Sequence, residues 1–359
     1  MITLGDINGI EQTATGYLLL EQDIEPKEAG KALKQNLLKL IKTQREITLQ
    51  EALPQAVSLD LSHNQSIYYQ ARQFTGKIKP GHSIASFSGL SSFTQAIADE
   101  DIPKQLDLSE SISDIIIFSA QDEISRFTLP KGNKTGLCLH DILENLDFQT
   151  DLKEQLPLIE ATLEKHQLEA QWLPVVVQLL EDTLQAQLSA GFSLAQCPDS
   201  HQLKEMGFMF RTESFNPHKL LEVLANPFLQ LTPVMYSAAR MLNFYELNGF
   251  CNGFIDLIAA DQQGEIYVID YKSNHLGNTL SDYQGENLNE AIAEHHYYLQ
   301  AILYAIATYR YFKLRGKKVE SIHIRYLFMR GLETQTTQGI WQWDLNQQMI
   351  ELLESVIKS

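Results

Sequence analysis

The apolar positions along the chain change period near residue 200. Before it, helical spacing dominates. Lys31 to Thr43 carries a helical pattern, and polar loops surround it through residue 80. Residues 92 to 134 are polar around one apolar run, Ile115 to Phe118, and read as linker or irregular structure. From Thr135 to Leu188 the period is helical again. Leu137, Leu139, Ile142 and Leu143 make one apolar face, and Pro174 stands where a helix begins. After residue 200, short apolar runs bounded by turn residues predict strands at Lys204 to Arg211, Phe254 to Ala259 and Glu265 to Tyr271. The last two are joined by the turn Asp261-Gln262-Gln263-Gly264. A long helix is predicted from Leu288 to Leu314, stopped by Gly316, then a strand from Ser321 to Met329 and a closing helix from Asn346 to Ile357. Strands alternating with helices on one mixed sheet predict an α/β core of roughly 150 residues behind a helical N-terminal region.

Composition narrows the function classes. The 359 residues carry 28 Lys+Arg against 45 Asp+Glu, a net charge of −17, and 44% of them are apolar. That apolar content is enough for buried cores and too high for a disordered chain. No apolar run reaches the ~18 residues of a membrane span and the first residues lack a signal-peptide layout, so the expectation is a soluble cytoplasmic protein with no membrane contact. Cys138, Cys197 and Cys251 are too few and too scattered for a disulfide framework or a closed thiolate metal site. No GxxxxGK[ST] loop occurs, which argues against ATP hydrolysis by the P-loop route.

A net negative chain repels nucleic acid at long range, so any DNA contact needs a local basic stripe or a partner subunit. Arg310, Lys313, Arg315, Lys317 and Lys318 form the best stripe, though solvated cations at a helix end explain it equally well.

The chemistry concentrates in Gly253-Phe-Ile-Asp256 and Asp270-Tyr-Lys272. Alternate residues of a strand share a face, so Asp270 and Lys272 point the same way. A hairpin centred on Gln263 sets Asp256 opposite Asp270, with Cβ atoms ~4.5–5.5 Å apart. Two facing carboxylates among Phe254, Ile255, Ile266, Val268 and Ile269 are costly unless a cation sits between them. A hard divalent ion such as Mg²⁺ fits, and with a lysine alongside, the set suits phosphodiester hydrolysis. Taken alone, a D-x-K is most often a surface ion pair. His295 and His296 look like a metal pair, but neighbours on one helix point ~100° apart, which predicts partly exposed structural residues.

These residues resemble a known family. GFIDL at 253–257 and YVIDYKSNHLG at 267–277 are similar to the nuclease domains of RecB-type helicase-nucleases (exodeoxyribonuclease V), members of the PD-(D/E)XK superfamily. The resemblance extends to Ser86-Phe-Ser-Gly-Leu90, Gly136-Leu-Cys-Leu-His140, Lys204-Glu-Met206, Gln300 with Tyr304, and Tyr326-Leu-Phe-Met-Arg-Gly331, covering about residues 84 to 345. It implies a restriction-endonuclease-like mixed sheet flanked by helices. It further implies metal ligation by His140, Asp256, Asp270 and the main-chain carbonyl of Tyr271, with Mg²⁺ in the site or Mn²⁺ or Ca²⁺ in its place. Lys272 becomes the catalytic lysine and Glu205 a supporting carboxylate. Gln300 and Tyr304, on one helix face, would approach the site or the DNA backbone.

The implied substrate is DNA ends, chiefly single strands, delivered by a RecB helicase region with RecC- and RecD-type subunits. On this resemblance residues 1–83 are the end of a helicase region, 84–200 a linker and helical region contributing His140, and 201–359 the nuclease core. Cys251 and Asn252 are extra beside the family pattern, and His275 stands where an aromatic residue is common; neither touches an implied ligand. The alternative is a catalytically silent module that keeps the fold and binds DNA and partners.

Overall fold

The computed structural model describes residues 83–96 and 124–357, together with Gln35 and Lys39. Those two are helical and exposed; the rest of the helix expected over Lys31 to Thr43, and the run Ile115 to Phe118, lie outside the described residues. The chain divides into two units, Met1–Gly76 and Lys77–Ser359, and all that follows concerns the second.

Its described elements are β1 (Ser83–Ala85), α1 (Phe87–Ala96), α2 (Asn133–Asn145), α3 (Leu156–Lys165), α4 (Leu173–Gln185), β2 (Gln202–Phe215), α5 (Pro217–Leu224), α6 (Pro233–Ala239), β3 (Leu247–Ala260), β4 (Ile266–Lys272), α7 (Glu286–Glu294), α8 (Tyr297–Leu314), β5 (Ser321–Phe328), β6 (Ile340–Asn346) and α9 (Gln347–Glu354). The strands form one mixed sheet. β3 pairs antiparallel with β2 and β4 and parallel with β1; β4 runs parallel to β5, and β5 antiparallel to β6.

Helices cover both faces of this sheet, as the α/β expectation requires. On one side the wholly buried middle of α8, Tyr298 to Tyr309, packs with α5, α6, α7 and α9 against Phe210, Ile255, Ile258, Val268 and Ile324. A helix apolar all round belongs at the centre of a layer. On the other side α2, α3 and α4 pack through Leu139, Ile142, Ile159, Leu163, Val176 and Leu180 onto Leu257, Ile269, Tyr271 and Leu327. β4 is covered on both sides, which explains its near-continuous apolar sequence. The helical stretch and the strands thus share a core.

Several expectations change. The helix predicted from Leu288 to Leu314 is two helices, broken at His295 and His296, where His296 has a left-handed backbone (φ 54°) and is buried. No Gly or Pro marks the break. The imidazole Nδ1 of His296 lies 2.8 Å from the Tyr298 hydroxyl, a contact made within the break. Leu137 is not on the apolar face of α2: it is 62% exposed, and the buried face is Thr135, Cys138, Leu139, Ile142 and Leu143. Pro174 does stand in the first turn of α4, and Asn346 caps α9 by accepting from the Met349 amide. The three cysteines are buried free thiols.

Arg330 ties the layers together. The guanidinium is 1% exposed and donates to the carbonyls of Ser273, Arg126, Leu129 and Pro130 at 2.8–2.9 Å. It holds the segment leading into α2 against the end of β4.

Candidate active site

The register of β3 and β4 is that of a hairpin centred on Gln263: Leu257 pairs Ile269 and Ala260 pairs Ile266. Asp256 and Asp270 therefore stand at the same level. On the other side of β3, Lys204 pairs Leu257 and Met206 pairs Ile255, which brings Glu205 level with Asp256. Three carboxylates thus lie in a row across three strands.

The row interrupts the sheet. Glu205 has a left-handed backbone (φ 47°) inside β2, a conformation that costs energy for any residue with a Cβ. Across this level the alternation of both strands changes phase. Met206, Phe208 and Phe210 face the α8 layer, yet so does Leu203; Ile255 faces it, yet so does Ile258. Asp256 fills the break with its side chain, Oδ2 accepting the Tyr271 amide at 2.9 Å.

The fourth group comes from α2. Asn133, Gly136, Leu137, His140, Asp141 and Glu144 recur at helical spacing and line a cavity of about 740 Å³ above the row. Gly136 lets the helix pass close: a Cβ there would lie 3.0 Å from Ser273 Oγ. One turn on, His140 reaches the end of β4, its Nε2 2.9 Å from the Tyr271 carbonyl and its Nδ1 3.4 Å from Asp256 Oδ2.

Lys272 is enclosed. Its Nζ lies 2.6 Å from Asp270 Oδ2, donates to Gln300 Oε1 at 2.9 Å, and sits over the Tyr297 and Tyr326 rings at 3.7 and 4.9 Å. Gln300 in turn donates to the Tyr304 hydroxyl at 3.1 Å. Asp270 Oδ2, fully enclosed, has the ammonium as an ion-pair partner but no aligned hydrogen bond.

The electrostatics follow from this crowding. Burial, then repulsion from Asp270, pushes the Asp256 carboxyl up to about 6. Burial, then Asp256, raises Glu205 to about 7. Burial alone would lower the Lys272 ammonium, but Asp270 and its other neighbours outweigh that and hold it above the ordinary lysine value. The site therefore stores carboxylate repulsion that a cation relieves.

Ligand atoms of His140, Glu205 and Asp256 lie within 4.8 Å of one another, and the Tyr271 carbonyl is at hand. One imidazole with carboxylate and carbonyl oxygens is a donor set suited to a hard divalent cation, so these residues fit a metal of that class. Asp270 lies outside this cluster and engages Lys272 instead.

All eight residues singled out from the sequence, His140, Glu205, Asp256, Asp270, Tyr271, Lys272, Gln300 and Tyr304, line the one cavity. Gln300 and Tyr304 are buried in it: Gln300 reaches Lys272, and Tyr304 accepts from Gln300. His295 lies within hydrogen-bonding distance of Asn274 and stacks on Tyr297, and His296 faces Tyr298, so the two do not converge.

The basic stripe serves locally: Arg310 pairs with Glu354, Lys318 with Glu320, and Arg315 stacks on Tyr311. Of the aromatic walls around Lys272, Tyr297 escapes sequence reasoning, though it stands three residues before Gln300 on its helix. Tyr326 is legible as the first residue of the segment that resembles the family strand, and its pairing with Asp270 across β4 and β5 gives it its place. Asp141, which accepts from Lys165 and His166 at the cavity rim, gives no sequence signal.

The sequence profile of the PD-(D/E)XK nuclease superfamily matches residues 122–358. The chain is similar to the RecBCD enzyme subunit RecB of Escherichia coli, 29% identical over 279 residues, covering 76% of this chain and 23% of that protein. The RecB subunit of Haemophilus influenzae is 27% identical over 335 residues, covering 85% and 26%, and that of Mycobacterium tuberculosis 27% over 300, covering 74% and 27%. The chain spans about a quarter of the length of these curated relatives. With a mixed sheet flanked by helices and the superfamily profile running through it, the chain belongs to the PD-(D/E)XK nucleases and is related to RecB.

Proposed function

We propose that this chain is a divalent-metal-dependent DNA nuclease domain of RecB type. It hydrolyses phosphodiester bonds, chiefly in single-stranded DNA delivered by a RecBCD-type helicase with RecC- and RecD-type subunits, in the cytoplasm, during recombinational repair of double-strand breaks. The observation that carries the proposal is the row Glu205, Asp256, Asp270 with His140 above it and Lys272 enclosed at its end.

His140, Glu205, Asp256 and the Tyr271 carbonyl would hold the metal, with Asp270 beside them. When bound, a divalent ion such as Mg²⁺ supplies Lewis-acid stabilisation of phosphoryl charge and makes water a better nucleophile. The chain's own residues do the rest. Lys272 brings a fixed positive charge to the cavity, where it offsets negative charge growing on the phosphoryl oxygens as water adds to phosphorus and the P–O ester bond breaks. Gln300 and the two tyrosine rings fix the ammonium, so it does not reorganise during the reaction. Tyr304 orients Gln300.

The test is cleavage of end-labelled single-stranded DNA with Mg²⁺, with EDTA, and by Asp270→Ala. Metal-dependent cutting abolished by the substitution supports the proposal. Equal cutting by the variant refutes it. Absence of both cutting and calorimetric Mg²⁺ binding favours a silent DNA- and partner-binding module.

A further inference from the structure

Beside the carboxylate row the sheet leaves an aromatic ring uncovered. Phe254 stands two residues before Asp256 on β3 and opposite Gly207 on β2. It is 63% exposed, although aromatic side chains in this unit are otherwise mostly buried. Gly207 explains its posture. A Cβ at Gly207 would lie 3.2 Å from the Phe254 ring, which therefore rests directly on the β2 backbone. The neighbouring pair does the reverse on the other face: Phe208 rests on Gly253, where a Cβ would lie 2.9 Å from the ring, and packs inward against Phe210 and Tyr304. Two glycine–aromatic pairs thus turn one phenylalanine into the core and leave the other outside, its ring against Gly207 and most of its surface open. Met209, 61% exposed, shares that outer face, and Leu137 supplies an exposed apolar group on the cavity wall.

We infer that Phe254 is a stacking platform for a nucleobase next to the scissile phosphate, and that it favours single-stranded over double-stranded DNA. The inference rests on the nuclease reading above. Two residues along a strand are ~6.6 Å, the scale of one nucleotide step in an extended single strand. A strand whose phosphate reaches Asp256 therefore carries a neighbouring base to the ring. Aromatic rings take any base by its π-face, without sequence preference. In a duplex those faces are covered by adjacent bases, so only an unpaired strand can use the platform. Position decides the occupant: the ring stands two residues along β3 from Asp256, which lines the cavity, so a strand lying over the carboxylates passes beside it.

The test uses the full chain with Ca²⁺ replacing Mg²⁺, and reads fluorescence anisotropy of a labelled twelve-nucleotide oligothymidylate and of an abasic strand of the same length. Phe254→Ala should weaken binding of the intact oligonucleotide about 5- to 150-fold, the range for loss of one base–aromatic stack. Phe254→Leu, which still covers Gly207 but has no π-face, should show the same loss, and Phe254→Tyr should restore binding. The abasic strand should bind all four proteins alike. Equal binding of the intact strand by wild type and Phe254→Leu overturns the inference, as does an equal loss on the abasic strand. If such a chain still cuts DNA with metal, the nuclease reading stands and the exposed ring belongs to a protein partner. If wild type neither binds nor cuts, both readings fall.

Discussion

Replacing Asp256 by asparagine separates the charge at this position from its shape. The amide oxygen can still accept from the Tyr271 N–H, so the backbone contact across the strand break survives. What disappears is a carboxylate whose pKa is about 6 where 3.8 is ordinary, raised by burial and then by Asp270. At 1.36 kcal/mol per pH unit this difference corresponds to about 3 kcal/mol.

Because the folded pKa is the higher one, the metal-free fold takes up a proton at this site. Its contribution to stability is complete below about 3.8 and is lost as pH rises through 6. The neutral asparagine loses nothing over that range. In EDTA at pH 8, Asp256→Asn should therefore be the more stable protein by up to about 3 kcal/mol, and at pH 4 the two should agree within about 1 kcal/mol. Urea unfolding followed by tryptophan emission reads this, since Trp172, Trp341 and Trp343 all lie in the unit that holds the site. Added Mg²⁺ should reverse the order, because only the wild type gains stability by binding it. An asparagine variant that is less stable at pH 8 in EDTA, or an unchanged gap at pH 4, would refute the stored repulsion.

Lys272→Ala should lower single-turnover cleavage at least ~100-fold, and leave Asp270 buried without its cation at about 3 kcal/mol in urea unfolding. His140→Ala should weaken calorimetric Mg²⁺ binding by at least ~10-fold, and unchanged affinity would remove His140 from the ligand set. Arg330→Met strands four buried carbonyls and should cost about 3 kcal/mol or more, read as a lower urea midpoint with no gain in cavity chemistry. Binding to single-stranded DNA should weaken with salt at a log–log slope of about −0.7 per phosphate contacted, and a flat response would count against a DNA substrate.

The hairpin was legible because its spacing is arithmetic: a four-residue turn with Gly264 fixes the register, and the register sets Asp256 level with Asp270. Lys272 was legible for a similar reason, being two residues from Asp270 on the same strand. Glu205 was harder. The segment Lys204-Glu-Met206 reads as plain strand, and its left-handed backbone follows from the three-strand arrangement rather than from local propensity.

The break at His295 and His296 has no Gly or Pro to announce it. It goes with a local contact of His296 with Tyr298 and with the Tyr297 hydroxyl donating to Asn274, which forms only in the packed protein. Leu137 departs from the predicted face because the cavity side of α2 also carries an apolar residue, which periodicity alone does not distinguish from a core one. β6 is not among the predicted strands, although Ile340-Trp-Gln-Trp-Asp-Leu-Asn alternates buried and exposed from Trp341 onward; β1, at three residues, is too short to leave a pattern.

The Arg330 clamp also bears on how the chain folds. Its acceptors at Arg126, Leu129 and Pro130 precede it by about 200 residues, and the segment they form leads directly into the helix that carries His140. Closing so long a loop is entropically slow compared with forming the local hairpin of Asp256 and Asp270. During refolding the two aspartates should thus be in register well before the histidine is seated above them. Recovery of nuclease activity should then lag behind recovery of strand signal, with the clamp setting the length of the delay.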